Sequence, residues 1–477
     1  MHSVVVHGHF YQPPRENPWR DAVDVEPGAA PFHDWNVRIT HECYGPVSAA
    51  RLLDAAGHVA GRVNLFEWMS FDIGPTLMRW LERHAVDVTQ AIVSADRASA
   101  RRLDGHGNAL AMPYHHVILP LASRRDKVRE VRWGLADFRA RYHRDPEGLW
   151  LPEAAVDEET LVVLAEQGVR FTVLSPHQVR NPPDDGRPLR FDAGGGRQVA
   201  LFVYDADLAS GVAFGDLLHD GDLLARRLMP LVEEIPEARV PSSLTSLATD
   251  GETFGHHRKF GEMALARAIA LLRAHRSVAV ENYAAVLARM EPRHDVDLVS
   301  PSSWSCPHGV ERWRSDCGCG ATGRTSQAWR GPLRSALEWL AGELDARLGA
   351  EASSLFRDAE QAVDAFGGVA AGLERTYAAF VAGHLRAGAD AHRAARVLDG
   401  VAARLAMFSS CAWFFDDVAG HETALMLRLA AYALDCAQAP MLEPELLDRL
   451  SRAHSNYPAA GTAADVYHRV ASHPQLA

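Results

Sequence analysis

Residues 243–257 read SLTSLATDGETFGHH. The apolar run 243–248 has the length and composition of a buried strand, and it breaks into Thr249-Asp250-Gly251-Glu252 and then Gly255-His256-His257. Carboxylates and histidines on a glycine-containing loop just after a buried strand are how α/β folds gather catalytic groups. The competing local reading is a turn at Asp250-Gly251, with Glu252 as the acidic residue of a helix start. Asp250 and Glu252 stand two apart, so an extended backbone turns both toward one face.

Toward the N-terminus the same texture recurs. QVALFVYDAD (198–207) reads as a strand delivering Asp205 and Asp207, facing substrate or an arginine partner, with Arg312, Arg314 and Arg330 as candidates. VRFTVLS (169–175) is another strand. GLWLPE (148–153) ends in Pro152, which removes an amide donor and stiffens the backbone beneath Glu153. ALAMPYHH (109–116) carries Tyr114, His115 and His116, and RVNLFEW (62–68) is a further strand. Residues 3–6 form a first strand that stops at His7-Gly8-His9, where period 2 puts both histidines on one side, beside Tyr11 and Gln12. Helical patterns over 37–56, 71–84, 87–103, 127–142, 157–167 and 216–234 lie between. Strands alternating with helices predict parallel β/α units, and seven or eight strands before residue 300 predict a closed or nearly closed barrel. Ionisable residues at the strand ends (His7, His9, His115, Glu153, Asp205 and Asp250) fall where barrel enzymes build their sites.

Beyond Pro301 the segment PSSWSCPHGVERWRSDCGCGATGRTSQAW is a Gly, Cys and Trp loop with little periodicity. From Gly331 onward the chain is Ala-, Leu- and Arg-rich and helical, with breaks near Gly367, Gly388, Gly420, Pro440 and Tyr457-Pro458. The predicted organisation is a barrel over 1–300, a loop over the cleft at 301–330 and an α-helical domain at 331–477.

With 477 residues, 47% hydrophobic and 23% charged, the chain has the composition of a globular protein large enough for two domains. A formal charge of −12 argues against a partner held by phosphate contacts, so no nucleic acid is expected. No basic-then-apolar leader and no long apolar run is present, so the expectation is a cytoplasmic protein without a membrane span. Six cysteines in this length make no disulfide framework, although Cys306, Cys317 and Cys319 crowd one loop. With His308 they form a C-x-H…C-x-C set able to hold zinc tetrahedrally; reduced thiols and a disulfide are the alternatives, and no metal is assigned.

In order, these stretches resemble glycoside hydrolase family 57, retaining α-glucan enzymes on a seven-stranded barrel. HGHFYQPP resembles that family's His-x-His-x-Pro opening, with one residue more before the prolines. GNALAMPYHHVILPL resembles its second motif, with Asn108 where many members have Glu. LWLPEAA resembles the stretch carrying the nucleophile, which implies that role for Glu153, and TDGETFGHH the stretch carrying the general acid/base, which implies that role for Asp250. PSSWSCPHGVERW resembles the fifth motif loosely, with Trp304 as its substrate-contacting aromatic, and SSCAWFFDD a helical-domain segment returning to the cleft, with Trp413 as its aromatic. The resemblance covers residues 1–330 well and the rest weakly.

Retention at a glycosidic bond needs two carboxyl groups about 5–5.5 Å apart, one ionised to attack carbon and one protonated to give its proton to the leaving oxygen. The implied function is hydrolysis or transglycosylation of α-1,4-linked glucan or maltooligosaccharide, with Glu153 and Asp250 as the pair and no cofactor. His7, His9, Gln12, His115, Asp205, Glu252 and His256 would hydrogen-bond sugar, and Trp150, Trp304 and Trp413, with Trp19, would offer flat faces to pyranose rings. Two readings compete. A metal-dependent carbohydrate hydrolase or deacetylase would use His7, His9, Asp250 and His256 as ligands. A barrel that binds glucan without cleaving it would make room for Asn108 and the unusual loop.

Overall fold

The strand that organises the first unit is β1, His2–Phe10, buried along its whole length. The computed structural model of the chain describes residues 2–229, 243–320, 322–323, 325–372 and 377–471. Seven further strands are β2 Ser70–Ile73, β3 Ala109–Leu110, β4 Phe171–Leu174, β5 Leu189–Gly194, β6 Arg197–Val203, β7 Leu244–Asp250 and β8 Val278–Val280. β1 is flanked by parallel partners on both sides, and helix-covered parallel strands read as continuous apolar runs, which explains VVV in its middle. The sheet order is β7-β1-β2-β3, with β8 beside the first residues of β1. A second sheet has the order β4-β6-β5, where β5 is antiparallel.

The structure is α/β with a helical C-terminal region, but its regular main sheet has five parallel strands rather than the seven of a barrel. The strand expected at 148–153 is reduced to single parallel bridges, Ala111 with Leu149 and Gly148 with Phe171. Pro152 has no N–H to give, and Glu153 and Ala154 turn into the left-handed region with φ of 57° and 47°, so the extended backbone stops there. Hydrogen bonds continue across these breaks: Trp150 N–H to Ala111 O (2.8 Å), Leu149 N–H to Phe171 O (3.1 Å), and Asp205 N–H on the far side to Ser246 O (2.8 Å).

Other boundaries also moved. The strand expected at 62–68 is the end of a hairpin, Ala50–Leu53 with Val59–Val63, followed by a 3₁₀ turn at Leu65–Glu67. The strand of the main sheet comes next, and its last residues fall inside the stretch read as helix 71–84: β2 ends at Ile73, Gly74 caps, and Pro75 opens the helix Pro75–His84 at N1. The helix expected at 37–56 is broken by that hairpin, and the part of the expected helix 216–234 beyond Met229 lies outside the described residues.

The chain divides into two compact units. The first comprises Met1–Gln12, Val25–Met112 and Arg141–Ser300; the second comprises Pro13–Asp24, Pro113–Ala140 and Pro301–Ala477. The second unit thus takes in two segments from the N-terminal half as well as 301–477. Its centre is the helix Arg330–Leu355, which buries Leu333, Leu337, Leu340, Leu344 and Leu348 at helical spacing. Helices Ala391–Ala406, His421–Cys436 and Glu443–Leu450 belong to the same unit. Trp133 is fully buried there, giving its indole N–H to Val363 O and lying so close to Gly367 that a Cβ would come within 2.4 Å of the ring. Among the described residues no helix is long and apolar enough to cross a membrane.

Candidate active site

Strand register builds the core of the site. His9, near the C-terminal end of β1, is level with Asp250 on β7 and with Asp72 on β2, so a carboxylate flanks it on either side. His7 and His9 point the same way and both reach Asp72: His7 Nε2 lies 3.1 Å from Oδ1 and His9 Nδ1 lies 2.8 Å from Oδ2. The other nitrogen of His7 meets Ser70 Oγ at 3.2 Å. Burial alone lowers an imidazole pKa, and it does so at His7. At His9 burial is outweighed by Asp72, Asp250 and Glu252, which push the ring up to about 9, so His9 is a cation at neutral pH. Asp72, fully buried, is held below the ordinary carboxylate range by the two histidines against the opposing effect of burial.

Trp150 closes this cluster, stacked on His7 with centroids 4.7 Å apart and on His9 at 5.4 Å. It is fully buried, and its ring backs the histidines rather than lying open to a sugar.

Asp250 ends β7. It is sunk among protein groups, yet water reaches it. Crowding by protein, followed by Glu252 and Asp72, raises its carboxyl to about 6, while His9 pulls the other way. Period 2 does not carry through to Glu252, because a 3₁₀ turn begins at Gly251. Glu252 turns inward and accepts from Tyr44 O–H at 2.7 Å and from Tyr11 N–H at 3.3 Å. Its carboxyl is also raised, by burial, with those two bonds opposing. The glycine between the acids is required by space: a Cβ at Gly251 would stand 2.3 Å from the Phe10 ring.

Glu153 sits at the same C-terminal end, four residues past the Leu149 bridge, and is largely buried. Its left-handed backbone is costly for a side chain with a Cβ, and such strain needs support from its surroundings. Gln178 provides some: its Nε2 donates to Ala154 O at 2.7 Å, while its Oε1 accepts from Ser175 N–H at 2.9 Å.

Residues 98–298 match the family described as Glycosyl hydrolase family 57. Over that span the chain is similar to glycosyl hydrolase family 57. Residues 326–477 match a second family, described as Domain of unknown function (DUF3536). An exo-type maltose-forming amylase from Pyrococcus sp. ST04 shares the fold with a TM-score of 0.70 at 14% identity, over 94% of this chain and 80% of its own. A GH57-type branching enzyme from Pyrococcus horikoshii gives 0.55 at 12% identity, over 99% and 92%. A 4-alpha-glucanotransferase from Thermococcus litoralis gives 0.55 at 14%, over 91% and 59%. At these identities the likeness is one of fold. None of the curated proteins compared with the chain matches it.

Within this family 57 fold, the first unit brings His7, His9, Trp150, Asp250 and Glu252 together, and Gln12 joins them through Tyr44, which its side chain hydrogen-bonds. His256 is held through Nδ1 by Glu42. Asp205 caps the helix Ala206–Ala213, accepting from Leu208 N–H at 2.9 Å, a local role that needs no arginine, and Asp207 lies exposed in the first turn. Asn108 is a buried strut: its amide N donates to Phe66 O and its Oδ1 accepts from Asn282, both at 2.9 Å. Three expected substrate contacts lie in the second unit. His115 is buried and tied through Nδ1 and N–H to Glu130. Trp304 is half-buried in its loop. Trp413 is core: fully buried, parallel to Phe408, beneath the Arg334 guanidinium, with its N–H on Arg330 O. Trp19 gives its N–H to Asp435 at 3.0 Å. A cavity of about 300 Å³ in this unit holds Arg334 and Arg404, but both are paired, with Glu338, Asp126 and Asp345.

Asp72, Tyr44, Tyr204 and Gln178 were missed from the sequence. Tyr204 hydrogen-bonds Ser175 and lies near enough to Asp250 to feel its charge. The signal for Asp72 was available: a Gly74-Pro75 break that separates a short apolar strand from the helix after it.

Proposed function

We propose that this chain cleaves or transfers α-1,4-linked glucan or maltooligosaccharide through a covalent glycosyl-enzyme. Glu153 is the nucleophile and Asp250 the general acid/base. The observation that carries the reading is the Asp250 carboxyl: raised to about 6, it holds its proton about two pH units higher than an ordinary aspartate while remaining reachable by water. Asp250 protonates the leaving oxygen as Glu153 attacks the anomeric carbon; in the second half it takes a proton from water or an acceptor hydroxyl, whose oxygen displaces Glu153. The His9 cation beside it stabilises the carboxylate formed when the proton leaves. Glu252 is the weaker candidate for the acid, because Tyr44 and Tyr11 donate to it and favour its ionised form. The activities of the structural relatives, maltose formation, glucan transfer and branching, support an α-glucan substrate. We read β1, β2, β3, residues 148–151, β4, β6 and β7 as a seven-membered ring, a barrel with one strand worn down to bridges. A carbohydrate partner and a cytoplasmic setting complete the reading, the latter supported by six cysteines that form no disulfide.

The test is azide rescue of Glu153→Ala and Asp250→Ala on an activated α-glucoside. The expected products are the inverted glycosyl azide from the nucleophile variant and the retained one from the acid/base variant. Full activity in either unrescued variant overturns its assignment, and retained azide from Glu153→Ala reverses the two. The metal-dependent reading would leave both variants with no azide product; against it, His7 and His9 already direct nitrogens at Asp72.

A further inference from the structure

The loop from Pro301 to Gly320 does no work in the chemistry above, yet it converges more chemical groups than any other short stretch of the second unit. Cys306 Sγ lies 3.9 Å from Cys317 Sγ and 3.8 Å from Cys319 Sγ, and Cys319 Sγ lies 3.5 Å from His308 Nδ1. All four ligand atoms fall within 4.8 Å of one another, and among the described residues no other group of three or more His, Cys, Asp or Glu side chains converges in this way.

These spacings discriminate between explanations. A disulfide brings sulfurs to about 2.05 Å, and no pair here approaches that. Zinc bound at about 2.3 Å by sulfur and about 2.0 Å by nitrogen sets tetrahedral edges of about 3.8 Å between sulfurs and about 3.5 Å between sulfur and nitrogen. The three separations, 3.9, 3.8 and 3.5 Å, match those edges.

The surrounding backbone is shaped for the same end. The N–H groups of His308 and Arg312 are directed at Cys306 Sγ, the bonds that orient and stabilise a metal-bound thiolate. Ser303 pairs with Cys306 across a tight bridge and gives its hydroxyl proton to Gly309 O at 2.6 Å. Gly309 (φ +82°) is needed because a Cβ would meet Pro301 O at 2.8 Å, and Gly318 (φ +79°) turns the chain between Cys317 and Cys319. Arg330 Nη1 donates to Cys319 O at 2.7 Å, tying the second thiol pair to the first turn of the unit's central helix. Cys306 is buried, whereas Cys317, Cys319 and His308 are open enough for an ion to enter.

We propose that Cys306, His308, Cys317 and Cys319 bind one zinc ion in a closed, four-ligand structural site. Three thiolates and one imidazole saturate a tetrahedral ion, so no position is left for substrate or a reactive water. Its role is to hold residues 301–320, Trp304 included, in one conformation. The site stands independently of the glycosidase reading.

The full chain, purified under reducing conditions without chelator or histidine tag, is analysed for metal by inductively coupled plasma mass spectrometry. The expected content is about one zinc per chain, falling to below about a tenth in Cys306→Ser and in Cys317→Ser, and retained in His308→Cys, which supplies a fourth thiolate. Reconstitution with cobalt should give thiolate-to-cobalt charge-transfer absorption and the intense visible bands of tetrahedral geometry. Should a serine variant fail to fold, the wild type answers alone: mercurial titration of its thiols should release zinc to a chelating dye in proportion to the thiols modified. The proposal is overturned by a folded wild type that neither carries nor takes up zinc or cobalt, by iron in place of zinc, by zinc retained at full stoichiometry in Cys306→Ser, or by a mapped disulfide among the three cysteines.

Discussion

The sheet rim of the first unit and the cysteine loop of the second face one physical problem and resolve it differently. Each crowds acids that repel one another when ionised. At the rim the counter-charge is internal: His9 stands between Asp72 and Asp250 as a cation, and Tyr44 and backbone N–H groups receive Glu252. In the loop three thiols and one imidazole gather with the Arg330 guanidinium close enough to feel Cys317 and Cys319, and the proposed counter-charge for three thiolates is a bound ion. The difference teaches what to look for: an internally balanced cluster can exchange a proton, while one closed by a metal only holds a shape.

The largest expected effect breaks the comparison on the rim side. Glu153→Gln or Asp250→Asn should lower kcat/KM about 10⁴-fold or more, measured on maltooligosaccharides by chromatography of the products. On the loop side, stripping zinc from the wild type with a mercurial should lower the melting temperature by about 5–10 °C, followed by calorimetry, and readdition of zinc after thiol reduction should restore it. A loss of catalysis with no change in melting would contradict a structural role.

Gln178→Ala tests how the strained Glu153 turn is held. With the bond to Ala154 O gone, kcat should fall about 10–100-fold with KM nearly unchanged, and Gln178→Glu, which offers an acceptor where a donor is needed, should not rescue it. Next comes pH. The acid must be protonated, so kcat/KM should decline above about pH 6, and His9→Gln, which removes the cation that pulls Asp250 down, should move this limb up by about one pH unit.

The smallest effect is on stability. Asp250 titrates higher folded than unfolded, so its contribution is full below its ordinary value near 3.8 and is lost as pH rises through 6. His9, raised from 6.5 to about 9, follows the same sign: its contribution is full below 6.5 and is lost as pH rises through 9. Asp250→Asn should therefore melt about 2 °C higher at pH 7 while being inactive, the shift discounted to about 1 kcal/mol because water reaches the group. Equal melting of the two proteins from pH 4 to 8 would show that the carboxyl is not raised.

How much of this was readable follows from what is local. β7, β1 and the Glu153 stretch each announce themselves within ten residues, through an apolar run closed by Gly, Pro or a charged group. Register is not local. That Asp72 stands level with His9 depends on β2, whose four residues merge into the helical pattern after them unless Gly74-Pro75 is taken as a boundary. The same holds for the faces of Asp250 and Glu252: alternation placed them together, and a 3₁₀ turn beginning at Gly251 separates them. Trp150 and Trp413 look alike in sequence to a tryptophan open to ligand, and only packing shows one backing two histidines and the other lying in a helical core. The cysteine set was legible as a possibility, but its tetrahedral edges are a property of the folded loop.

The divided make-up of the second unit bears on how the chain comes off the ribosome. Pro13–Asp24 and Pro113–Ala140 emerge hundreds of residues before the partners that bury them. Until residues 359–370 are synthesised, Trp133 has neither the carbonyl of Val363 nor the small face of Gly367 to rest on. The nascent protein therefore carries an unburied aromatic surface through about half of translation, and a product truncated after Ser300 keeps it permanently, which marks it for chaperones and for aggregation.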